Sequence, residues 1–253
     1  MKKTTKMLAI LLAAMTALSG CGGSGTTTTQ TEGKTETTAA AEKTGTETAQ
    51  KGPKDEVVTM AVISSWDTLN IYNTSGNYGN AVADQLFERL VTRTHDGVIE
   101  PRLATEWQIA DDNKSMTFKL AENALWHDGE KLTANDIVFT CKAMTNPDVD
   151  NYYRSAFNVL AGTDDDGIAA DTDQLGVEAV DDYTVKFSFK EPKDQDTILN
   201  AFLSFLYVLP EHILDTGNYA DINNSSFWTS PVGAGPFKYV KDTAGETLEM
   251  EAF

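Results

Sequence analysis

The sequence predicts an α/β domain with a mixed β-sheet over residues 55–253, behind an export signal and a polar tether. Three observations carry this. Val82, Ala83, Leu86, Phe87, Leu90 and Val91 recur at three- and four-residue spacing, the mark of one apolar helical face. Met116, Phe118 and Leu120 alternate with polar residues, as do Val185, Phe187 and Phe189, the period of a half-buried strand. Helical and extended segments follow one another without regular βαβ alternation, so the class is α/β or α+β rather than a doubly wound parallel sheet.

Taken in order, Glu56–Ser64 is mostly apolar and predicts a first strand. A polar loop follows, carrying Trp66, Asn70, Tyr72, Asn73 and Tyr78, and then the helix of the Val82–Val91 stripe, ending near the turn pair Asp96-Gly97. The strand over 116–120 comes next, then Trp126-His127 and a turn at Asp128-Gly129. Thr133 stands at a helix start with Asp136 in the first turn, where a hydroxyl caps backbone N–H groups and negative charge is favoured. In that helix Ile137, Val138, Cys141 and Met144 share one face, so Cys141 is expected to pack rather than react. Asn200–Leu209 is an apolar segment closed by Pro210, and Phe237–Val240 and Leu248–Ala252 predict two strands with Gly245 in the turn between them.

The first 20 residues place the chain. Lys2, Lys3 and Lys6 precede a 12-residue, mostly apolar run from Met7 to Leu18. That pattern is an export signal, and it is shorter than the roughly 20 residues a spanning helix needs. Leu18-Ser19-Gly20-Cys21 resembles the lipobox of bacterial lipoproteins, which implies diacylglyceryl transfer to the Cys21 sulfur and a mature chain held on the outer face of the membrane. The competing reading is an ordinary secretory signal with an incidental cysteine. Residues 21–54 are rich in Thr, Gly, Ala, Lys and Glu, with no aromatic residue and no Val, Ile, Leu or Met, so they cannot build a core and suit a flexible tether.

Of the formal net charge of −18, residues 1–20 contribute +3 and residues 21–54 contribute zero, which leaves −21 on residues 55–253. So acidic a domain repels nucleic acid and anionic headgroups, which leaves membrane attachment to the lipid. With Cys21 lipidated, Cys141 has no intramolecular disulfide partner. Enzyme motifs are missing: there is no Gly-x-Ser-x-Gly elbow and no His-Glu-x-x-His zinc site. His95, His127 and His212 are scattered, and His127 within Trp126-His127-Asp128-Gly129 reads as part of a structural turn. Gly162–Gly167 has a partial calcium-loop spacing through Asp164 and Asp166, with Asp173 near the twelfth place, but Gly162 stands where the first acid belongs. A solvated loop is expected there, and neither a metal nor a cofactor is expected in the chain.

Six blocks, in order, resemble family 5 of the bacterial ABC-transporter solute-binding proteins, the oligopeptide, dipeptide and nickel receptors. They are Asn80–Leu90, Pro101–Trp107, Trp126–Phe139, Val177–Phe187, Leu209–Ile213 and Pro231–Phe237. The resemblance implies a periplasmic-binding-protein-like fold of type II and a non-catalytic role. The protein would capture a peptide or similar solute outside the cytoplasm, on the outer membrane face or in the periplasm, for a permease powered by an ATPase. Family members continue past the Gly-Ala-Gly-Pro-Phe block into a second large lobe that carries the acid pairing with a peptide's terminal amine. Residues 55–253 are therefore expected to be the N-terminal portion of the first lobe, and the chain a fragment or truncated product. For ligand contact the candidates are Ser64, Ser65, Trp66 and Tyr78, hydroxyl and aromatic groups on a strand-end loop. Trp66 and Tyr78 would equally well cover the lobe's own core. Gly233 and Gly235 either let backbone approach a ligand or make a tight turn. An anchored secreted hydrolase and a sensor without transport role are the rival readings.

Overall fold

A computed structural model describes residues 59–61, 68–74, 77–243 and 246–253, with the backbone alone at 77, 78 and 201. The signal, Cys21, the tether and the candidates Ser64, Ser65 and Trp66 lie outside the described residues. Of the strand expected over Glu56–Ser64, only Thr59–Ala61 lies within the described residues; these three are exposed and carry neither helix nor strand, with Met60 64% exposed.

Helix α1 spans Asn77–Leu86 and buries Ala83 and Leu86 against the core. The apolar stripe runs on to Val91, but the helix does not. Phe87 closes the last turn on the Ala83 carbonyl at 2.8 Å, and Val91 opens strand β1 (Val91–Arg93), paired with β2 (Ile99–Pro101). Leu90, in a bend, and Val91, in β1, both stay buried, so burial at these spacings is satisfied without a helix. The expected turn at Asp96-Gly97 joins β1 to β2, with Gly97 at φ 87°, a conformation glycine adopts without a Cβ penalty.

Strands β3 (Ala104–Ile109), β4 (Ser115–Leu120), β5 (Val177–Asp181) and β6 (Thr184–Ser188) form one sheet in the order β3-β4-β6-β5. The alternating residues meet across it, Met116 opposite Phe187 and Phe118 opposite Val185. Every strand pair among the described residues is antiparallel, which corrects the expectation of a mixed sheet. Where sheet neighbours follow one another in the chain, short loops such as that between β5 and β6 permit only that pairing.

Helix α2 (Ala134–Thr145) packs on β5 and β6. Thr133 and Asp136 form the expected capping box, whose short arm is the Asp136 carboxylate accepting the Thr133 N–H at 2.8 Å. Ile137, Cys141 and Met144 are fully buried, and burial pushes the Cys141 thiol well above its ordinary range. Phe118, Phe187, Phe202 and Phe157 make an edge-to-face series with centroids 5.4–5.7 Å apart, which joins the sheet to the helical turns of Gln195–Phe205. An irregular strap, Pro231–Pro236, leads into β7 (Phe237–Thr243), which pairs with β8 (Thr247–Ala252). Gly245 lies outside the described residues. No helix among the described residues is long and apolar enough to cross a membrane.

Candidate functional site

The strap is seated by one histidine. The turn Trp126–Gly129 closes with the Gly129 N–H on the Trp126 carbonyl at 2.9 Å, and Gly129 takes φ 96°. It presents His127 to the strap, where three bonds form. The His127 N–H donates to the Gly233 carbonyl at 2.8 Å, the Gly233 N–H donates to His127 Nδ1 at 3.1 Å, and His127 Nε2 meets the Gly235 carbonyl at 2.9 Å. From the other side the Gly235 N–H caps the last carbonyl of α1, Leu86, at 3.0 Å.

Both glycines are needed for this approach. A Cβ on Gly233 would sit inside the Leu86 carbonyl oxygen and 2.7 Å from its carbon, and one on Gly235 would overlap the Gln85 carbonyl. The close approach that Gly233 and Gly235 allow here is to the chain's own helix end. Tyr78 does not lie in a loop, as its sequence neighbours suggested; its backbone is in the first turn of α1. Eight residues separate it from Leu86, roughly 12 Å along the axis. The described candidates therefore flank α1 rather than converge on a point, Tyr78 at its start and the glycines at its end.

Two polar groupings have no counterpart in the sequence motifs. In the first, Arg89 pairs with Asp84 at 2.7 Å and lies 4.8 Å over the Tyr207 ring, while the Tyr207 hydroxyl donates to Asp84 at 2.6 Å. Burial raises the Tyr207 hydroxyl pKa beyond its usual range. The second is a cavity of about 380 Å³ lined by Glu130, Lys131, Asp136, Glu211, His212 and Asp215, with Thr133 at the capping box. Asp136 is its buried member and accepts the Thr133 N–H and, at 3.0 Å, the Glu211 N–H. Burial raises the Asp136 carboxyl against those bonds; Glu211 is raised by burial and by its neighbours Asp136 and Asp215. The buried Trp126 N–H makes no well-formed hydrogen bond, yet it lies near enough to Asp136 to help hold the carboxylate's charge. At the rim His212 meets Asp128 at 2.9 Å. Burial opposes ionisation of Asp128, but that contact and the Glu130 N–H outweigh it and lower the carboxyl. These pairings join residues 84 to 207 and 136 to 211, separations that no local pattern reports.

Of the acids of the Gly162–Gly167 loop, Asp164 serves the backbone and Asp165 faces Lys190 at 3.8 Å. Asp164 accepts the N–H groups of Asp166 and Ile168 at 2.9 and 2.8 Å, and Asp173 pairs with Lys142 at 2.7 Å. Among the described residues, no three His, Cys, Asp or Glu side chains come together as a metal ion would require.

The sequence profile of the bacterial extracellular solute-binding proteins, family 5 Middle, matches residues 98–253. The periplasmic murein peptide-binding protein MppA of Escherichia coli (strain K12) is 33% identical over 175 residues, 66% of this chain and 30% of that protein. The periplasmic oligopeptide-binding protein OppA of Haemophilus influenzae is 29% identical over 183 residues, 71% of this chain and 33% of that protein. Among solved structures, the oligopeptide-binding protein AppA of Bacillus subtilis, in complex with a nonapeptide, superposes with a TM-score of 0.65 at 26% identity, over 76% of this chain and 35% of that one. The chain thus spans about a third of the length of these relatives.

Proposed function

Because the chain belongs to family 5 of the bacterial extracellular solute-binding proteins and shares their periplasmic-binding-protein-like fold, we propose that it serves an ABC importer as the lipoprotein that captures peptides outside the cytoplasm. It delivers them to a membrane permease whose ATPase supplies the energy. The observation that carries this reading is the match over residues 98–253, together with peptide-binding relatives by sequence and by fold.

In this account the protein performs no bond chemistry. A rigid antiparallel scaffold displays loops that contact the solute, and delivery requires only reversible binding. Ser64, Ser65, Trp66 and Tyr78 supply hydroxyl and aromatic contacts ahead of and within the start of α1, and the Gly233–Gly235 strap lies at the other end of that helix. Cys21 carries the acyl chains, and residues 22–54 let the acidic domain stand off the membrane.

Uptake of radiolabelled tri-, tetra- and penta-alanine by the native host, with and without the gene, tests the reading. Loss of uptake of at least one peptide, restored by the gene in trans, is expected. Undiminished uptake of all three would contradict peptide delivery. Turnover of chromogenic peptide or ester substrates by the purified chain would turn the assignment toward a hydrolase.

A further inference from the structure

We propose that His127 is a proton-operated clip on the Pro231–Pro236 strap: the neutral ring holds the strap, and protonation releases the Gly233 amide. The clip does not depend on the receptor reading.

Its logic lies in the chemistry of the two ring nitrogens. A backbone N–H can only donate and a backbone carbonyl can only accept. Nδ1, facing the Gly233 N–H at 3.1 Å, must be bare, and Nε2, facing the Gly235 carbonyl at 2.9 Å, must carry the hydrogen. One neutral tautomer satisfies both partners. A second proton goes to Nδ1, sets N–H against N–H, and leaves the Gly233 amide without its acceptor. The strap contributes no titratable side chain of its own.

The surroundings keep the clip closed at neutral pH. His127 is half-buried, with the Phe253 ring edge-on at 4.9 Å. Burial, then Lys238 of β7, disfavour the imidazolium; the Gly235 carbonyl and Asp128 of the same turn favour it, and the net effect lowers the histidine pKa. Lys238 is itself paired with Glu251 at 3.6 Å, and Asp128 is engaged by His212. The end of α1, Gln85-Leu86, adds no side-chain charge. A histidine held below its unfolded value of about 6.5 contributes stability that is complete above that pH and is lost as pH falls through the folded value. Because β7 begins at Phe237, one residue past the strap, opening the clip loosens the seam between the turn, the end of α1 and the β7–β8 hairpin.

Nitrogen-15 NMR of the full chain, titrated from pH 8 to 4, tests this by following the His127 ring and the exchange of the Gly233 amide together. At neutral pH the ring shows a protonated Nε2 and a bare Nδ1. As the ring titrates, Gly233 protection, corrected for intrinsic exchange, falls about ten-fold or more. His127→Asn keeps an acceptor near the Nδ1 position without a titrating ring, so its Gly233 protection stays flat. Unchanged Gly233 protection while the wild-type ring titrates would overturn the proposal, as would a protonated Nδ1 at neutral pH. An equal acid loss in His127→Asn would do the same. The two wild-type measurements decide the matter even if that variant does not fold.

Discussion

Replacing Gly233 with alanine tests how tightly the strap is built into the fold. The added Cβ would overlap the Leu86 carbonyl oxygen and stand 2.7 Å from its carbon, where ordinary carbon contacts begin near 3.5 Å. Both obstacles are backbone, so the strap itself must move by about 1 Å. Four hydrogen bonds of 2.8–3.1 Å hold it at Gly233 and Gly235, namely the His127 N–H to Gly233 O, the Gly233 N–H to Nδ1, Nε2–H to Gly235 O, and the Gly235 N–H to Leu86 O. A shift of that size carries most of them past bonding distance. At roughly 1 kcal/mol net for each bond, less about 0.5–1 kcal/mol for the stiffer unfolded chain, the loss is about 2–3 kcal/mol. For a folded part of this size, that lowers Tm by about 5–10 °C. Urea unfolding should show a lower midpoint at unchanged slope. Gly129→Ala is the comparison, because Gly129 has φ 96° and open space around it, so that variant carries only the backbone term of roughly 1–2 kcal/mol. A loss under about 1 kcal/mol for Gly233→Ala, or one smaller than that of Gly129→Ala, would refute the packing argument.

Asp136→Ala removes the acceptor for the Thr133 and Glu211 N–H groups at a buried position. It should cost about 2–4 kcal/mol in urea unfolding; a change within 0.5 kcal/mol would mean that water replaces the carboxylate. Cys141 is fully buried with its thiol held protonated, so a thiol reagent should label it only after guanidinium unfolding. Rapid labelling of the native chain would place Cys141 outside the core. Cys21→Ala should abolish incorporation of labelled palmitate in the host, and undiminished labelling would remove Cys21 as the lipid site.

Local signals were readable wherever a residue's partner lies close in sequence. The capping box of Thr133 and Asp136 spans three residues, and Asp96-Gly97 and Asp128-Gly129 make their turns from their own backbone preferences. The alternation of 116–120 and 185–189 revealed two strands and their buried faces, but not that they neighbour each other, because pairing order arises from tertiary packing. The end of α1 was misplaced for the same reason. Leu90 and Val91 satisfy burial without a helix, and what stops the helix is the Gly235 N–H arriving from 149 positions later at the Leu86 carbonyl. His127 was readable as part of a structural turn, whereas its hold on Gly233 and Gly235 was not. Asp136 was readable as a helix-start acid, and its second bond, to the Glu211 N–H, was hidden by a separation of 75 residues.

Native mass spectrometry of the full chain, released gently from host membranes and then challenged with an equimolar mixture of tri- to nonapeptides, addresses the central claim most directly. Peptide-sized adducts, present on isolation or acquired from the mixture and shed on denaturation, are the predicted result. A chain that carries no such adduct and gains none would contradict its assignment as a peptide receptor.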